Sequence, residues 1–242
     1  MSDAPLPAPG PGTGHAHAPG NVFRTELFSD AVFAIAITLL ALNLSVTSYR
    51  QNHLGTYLAH QWPTYAAFFV SFTFVAVMCM NHHAAFHRLS QVTFPLQWAN
   101  MGVLLGATVL SFPTGILADA FVSGNQRDER AAVVLYGLVA LVMGLSWTVF
   151  FWTIYRHPDT WKHEDDGPMW RRVSIWATFG ALFYLVAIAA GLLTTPVVSL
   201  ASFLVLVLYR STQARRINHF RGHLPHPDHQ GGPAVPNEPG VP

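Results

Sequence analysis

Six apolar runs, each long enough to cross a bilayer as one helix, dominate this sequence and leave little between them that folds independently. A spanning helix needs roughly 20 mostly apolar residues, because the hydrocarbon core is about 30 Å thick and an α-helix rises about 1.5 Å per residue. The runs cover about residues 24 to 46, 61 to 81, 96 to 120, 131 to 154, 172 to 192 and 195 to 210. With 51% hydrophobic and only 10% charged residues, the chain lacks the charge that a soluble surface needs. The expected fold class is therefore all-α, a polytopic membrane protein with six transmembrane helices occupying residues 23–210. Residues 1–22 and 211–242 are rich in Pro, Gly and His without apolar periodicity, and both are expected to be disordered tails. No secretory leader is recognisable, so the first run is expected to remain as a spanning helix.

Several function classes lose their footing here. No segment is left for a soluble catalytic or nucleic-acid-binding domain, and a net charge of +1 makes no basic face, so no nucleic-acid partner is expected. Gly144, Leu145 and Ser146 lack the glycine that would complete a nucleophile turn, and no glycine-rich phosphate loop occurs, so neither an enzyme nor a cofactor is expected. The lone Cys79 is expected to pack as a small hydrophobe inside a helix. Pro113 predicts a kink and a freed carbonyl late in the third run, and Pro196 suits the first turn of the sixth. Trp62, Trp98, Trp147, Trp152, Trp161, Trp170 and Trp176 fall mostly near run ends, as interfacial belts would.

Loop charge predicts orientation. Arg24, Arg88, Arg156, Lys162, Arg171, Arg172, Arg210, Arg215, Arg216 and Arg221 share one side, against Arg50, Arg127 and Arg130 on the other. Ten against three puts both termini in the cytoplasm.

The first run, Arg24 to Leu44, reads RTELFSDAVFAIAITLLALNL. With Ile35 as zero and about 100° per residue, Leu39 falls at about +40°, Leu42 at about −20°, Thr38 at about −60° and Phe28 at about +20°. One apolar stripe thus runs the length of the helix, and such a stripe ordinarily faces lipid or a neighbouring helix. Asp30 falls at about −140°, on the back. A charge inside a span costs roughly 2.5 to 3.5 kcal/mol on the lenient insertion scale, so Asp30 needs a partner. Topology brings Asn81, His82 and His83 from the second run, with Trp98 and Asn100 from the third, to the same end. A structural polar network of Arg24, Phe28, Ser29, Asp30, His82, His83, Trp98 and Asn100 is the expectation, although Arg24 points away from Asp30 on the same helix.

The opening RxxxFSD (Arg24 to Asp30), followed by NHHAAFHR (Asn81 to Arg88) and QWANMGVLLGATVLSFP (Gln97 to Pro113), closely resembles the endolysosomal potassium channel family called transmembrane protein 175 and its bacterial relatives. The resemblance covers roughly the first half of the chain. It implies a homotetramer in a cell membrane, with monovalent cations, K⁺ above all, permeating a central pore lined by the first helix. It also implies that Ile35, Leu39 and Leu42 form the pore constriction and that Thr38 forms a threonine layer for selectivity. Stacked rings of four branched apolar side chains each close a pore by excluding water. A threonine hydroxyl beside them can replace part of an ion's hydration shell, or it can back-bond to the carbonyl of Ala34. The K⁺-filter sequence built on backbone carbonyls does not occur, so selectivity needs another device. Asn43 stands where many relatives carry an acid.

The competing function is a proton-coupled or metal-ion transporter using Asp30 with His82, His83 and His87. His83 and His87 are spaced i, i+4 and can share an ion, but this pair lacks a carboxylate on another span, and residues 173–192 hold no His, Asp or Glu.

Overall fold

The computed structural model of the protein describes residues 20–44, 50–193, 198, 201–205 and 208. The two expected tails, apart from residues 20–22, which are helical, and most of the sixth run therefore lie outside the described residues. Among the described residues every named element is helical, and β pairing is limited to one isolated antiparallel bridge between Leu89 and Trp161.

Helix α1 spans Gly20–Ala41, begins a few residues earlier than expected, and closes in a 3-10 turn, Leu42–Leu44. A short helix α2, Leu54–His60, follows; no apolar run announces it, and none of its residues is buried. Helix α3, Trp62–Phe86, opens on Pro63, whose missing N–H costs nothing in the first turn. The third run is divided into α4, Phe94–Val109, and α5, Ser111–Ser123, with the break at Leu110. Pro113 is the physical reason, since it cannot donate to the carbonyl four residues back. Gly124, at φ 68°, ends α5 in the left-handed conformation that a side chain resists. Helix α6, Gln126–Arg156, starts at Asn125, whose side chain accepts from the Arg127 amide. Helix α7 is Gly167–Leu193. Among the described residues, counting α4 with α5, five helices are long and apolar enough to cross a membrane.

Helix α6 is the hub, packed against α7, α4 and α5, while α1 rests on α3 and α4. Small residues set the spacing. A Cβ on Gly144 would stand 3.0 Å from the Tyr184 ring, and one on Gly106 would stand 3.0 Å from Met143. Trp147 and Trp170 are fully buried, so these two belong to the core rather than to an interfacial belt. Trp62 and Trp98 are exposed. Cys79 packs against the core from within α3. Of the sixth run, residues 201–205 are helical, and Phe203 is buried with its ring 5.3 Å from Tyr136 and 6.3 Å from Tyr184.

One end of the bundle is clipped by its loops. The Arg88 guanidinium pairs with Asp166 at 3.0 Å, Lys162 donates to the His87 carbonyl at 2.6 Å, and the Ser90 amide donates to the Thr160 carbonyl at 2.8 Å. Asn21 donates to the Val92 carbonyl, bringing the start of α1 to the same end.

Candidate functional site

Helix α1 has two unlike faces. Val22, Thr25, Ser29, Phe33, Ala36 and Leu40, spaced three and four apart, are buried against α3 and α4. On the other side Phe23, Leu27, Phe28, Ile35, Leu39 and Leu42 are exposed, Ile35 by 55% and Leu42 by 69%. In the most apolar window of α1 22% of residues are buried, against 39% to 50% in the other four spans. The stripe centred on Ile35 is therefore uncovered within the subunit as described.

The buried face is fastened twice. Near the first end, His82 Nε2 lies 2.9 Å from Asn100 Oδ1, and Asn100 Nδ2 donates to Ser29 Oγ at 2.9 Å. Ser29 Oγ in turn donates to the Thr25 carbonyl at 2.8 Å. Because the Asn100 amide donates toward Ser29, its oxygen accepts, and His82 donates to it from Nε2. Every donor in this relay points from α3 through α4 to α1, so each bond polarises the next. It ends on a backbone carbonyl and contains no acid. His82 itself is fully buried, stacked on Phe86 at 4.2 Å and edge-on to Phe33 at 5.3 Å.

The second fastening is at the break in the third span. Ser111 Oγ donates to the Leu39 carbonyl at 3.1 Å, and Asn43 Nδ2 donates to the Ser111 carbonyl at 3.1 Å. Gly115 makes room, since a Cβ there would meet Asn43 Oδ1 at 2.8 Å. Behind the break, Ser71 Oγ lies 3.0 Å from Tyr136 Oη and 2.8 Å from Thr114 Oγ1, which donates to the Leu110 carbonyl at 2.7 Å. That donor order makes Tyr136, Ser71 and Thr114 a second one-way relay, joining α6 and α3 to α5. Between the two fastenings the contact is apolar, through Phe33, Ala36 and Leu40.

Thr38 is exposed, and its hydroxyl donates to the Ile35 carbonyl at 2.8 Å, one residue later than the Ala34 carbonyl expected. With the proton held by the backbone, the oxygen lone pairs remain for an external donor or a cation.

Of the residues expected in one polar network, Ser29, His82 and Asn100 come together. Arg24, Phe28 and Trp98 are exposed, and Asp30 is half-buried without a hydrogen bond among the described residues. His83 joins a different group: its Nδ1 lies 2.9 Å from Glu26 Oε1, and its Nε2 lies 3.0 Å from His87 Nε2. Glu26 was the residue missed. Its signal was position, since it lies about 180° from Ile35 on α1 and so faces the second span.

A family model described as the endosomal/lysosomal potassium channel TMEM175 matches residues 24–111. A potassium channel of Streptomyces collinus is 34% identical over 187 residues, which is 77% of this chain and 89% of that one. A potassium channel of Chamaesiphon minutus is 31% identical over 183 residues, 71% of this chain and 84% of that one. Among solved structures, a lysosomal potassium-selective channel TMEM175 homolog from Chamaesiphon minutus superposes with a TM-score of 0.66 at 30% identity, covering 80% of this chain and 97% of that chain.

Proposed function

This chain belongs to the TMEM175 family of membrane channels, and on that premise we propose that it is a potassium-preferring cation channel conducting passively through a central pore. The observation that carries this reading is the asymmetry of α1: its back is bolted to α3, α4 and α5, while its apolar front has no partner in the subunit as described. A helix so held can present that front to a symmetry axis without losing its seat. Four copies in a homotetramer stack Ile35, Leu39 and Leu42 as a dewetted constriction, and ions cross when these rings widen. Thr38, one helical step from Ile35, sets four hydroxyl oxygens with free lone pairs beside the constriction and acts as the selectivity layer. The sixth span, the placement of both termini in the cytoplasm and the cell-membrane location belong to the same reading.

The proton-coupled or metal-ion transporter needs Asp30 together with the His82, His83 and His87 cluster. His82 instead bonds to Asn100, His83 and His87 gather at Glu26, and Asp30 joins neither group, which favours the passive pore.

The test is ion flux from the purified chain in liposomes under K⁺ and Na⁺ gradients. Uncoupled flux at channel rates, larger for K⁺, is expected. Flux that saturates at carrier turnover and follows a proton gradient would overturn the reading.

A further inference from the structure

We propose that Glu26, His83 and His87 form a binding site for a divalent transition cation, with zinc as the best fit, that ties the foot of α1 to the end of α3. The three side chains come from two different spans, and one donor atom of each lies within 4.8 Å of the other two. His83 and His87 sit one helical turn apart at the end of α3, so both rings leave the same face. Their Nε2 atoms are 3.0 Å apart. Two nitrogens bound to one tetrahedral zinc at about 2.0 to 2.1 Å stand about 3.3 Å apart, so the pair is already close to a ligating separation.

Glu26 supplies what the histidine pair lacks, a negative charge and a third donor. Its Oε1 is sealed from solvent and lies 2.9 Å from His83 Nδ1. A carboxylate beside Nδ1 favours the tautomer with its proton there, which leaves the His83 Nε2 lone pair directed at His87. Between two neutral imidazoles the charge of a largely buried carboxylate is costly, and a bound cation offsets it.

Two imidazoles with one carboxylate select zinc and its borderline neighbours over magnesium or calcium, which prefer oxygen throughout. The His83 side chain is 56% exposed, so the ion and a fourth, water ligand have access. Of the basic groups at this end, Lys162 is engaged on the His87 carbonyl and Arg88 on Asp166. Glu26 lies nine residues, about 14 Å of helix rise, from Ile35 and on the opposite face, so the site is distinct from the apolar stripe.

Binding does not depend on conduction, so the proposal stands or falls apart from the pore reading. The full-length chain and its Glu26→Gln and His87→Gln variants are dialysed against limiting zinc chloride near neutral pH, and the bound metal is counted by mass spectrometry. The tail histidines are common to all three proteins and cancel in the comparison. The expected result is one zinc ion per chain lost in both variants, together with loss of the zinc-induced rise in melting temperature. Equal zinc in all three proteins, or loss in Glu26→Gln with retention in His87→Gln, overturns the proposal. Because His87 caps α3 at an exposed position, His87→Gln keeps the test decisive if Glu26→Gln folds poorly.

Discussion

Asn100 carries more of the subunit's order than its size suggests, since one amide serves α3 and α1 at once. Replacing it by Leu keeps the volume but strands the His82 Nε2 proton and removes a donor to Ser29. Each buried orphan costs about 1 to 3 kcal/mol, so Asn100→Leu should lower the detergent melting temperature, whereas the exposed Trp98→Leu should not. A thermal-shift comparison of the two checks this. Thr38→Ala tests the other polar group. It removes a hydroxyl ring without enlarging the apolar one, so K⁺ preference should fall while the closed state persists, read as a shift in reversal potential under mixed K⁺ and Na⁺. That Ser29, His82 and Asn100 pair was legible in the sequence, whereas Asp30, expected beside them, makes no hydrogen bond among the described residues. Which of two adjacent histidines turns inward was not legible, because a 100° step in helix phase separates the buried His82 from the exposed His83, and only packing fixes that phase.

At the scale of elements, two devices make α1 a fixed part rather than a loose one. The relay at Ser29 and the Ser111 bond to the Leu39 carbonyl are ten residues apart on α1, about 15 Å of helix rise, so the helix is held at two levels. The second level exists because Pro113 breaks the third span and leaves backbone there to be satisfied. The break was readable from that proline alone. The short α2 was not, since none of its seven residues is buried and they leave no periodic signature. The tryptophan pattern misled at Trp147, where proximity to a span end is no guide to facing inward. Close helix approach gives a prediction at this scale. Gly144→Val would drive a branched side chain into the Tyr184 ring between α6 and α7, costing about 1 to 3 kcal/mol. The expected readout is a lower melting temperature with unchanged ion preference, because Gly144 lies on α6, outside the α1 stripe.

For the whole molecule, the decisive question is what covers the front of α1, and here the sequence of one chain is silent, because in the proposed pore the partner is another copy of the same face. A cyclic assembly buries that face on itself and needs no second protein. Native mass measurement should therefore give four chains, and a purely monomeric result would remove the channel reading. Ile35→Asn then separates a pore from a lipid contact, since the two surroundings reward opposite chemistry. In a tetramer the substitution puts four amides where four branched hydrocarbon side chains excluded water, so the barrier to hydration falls, conductance rises and selectivity weakens. Facing lipid, the same amide has no partner in hydrocarbon, and the cost of an unsatisfied polar group appears as lower yield or melting temperature with no gain in current. Single-channel recording beside a thermal-shift assay distinguishes the cases. Higher conductance in a stable tetramer is expected, and a destabilised protein with wild-type conductance would move the stripe from the pore to the bilayer.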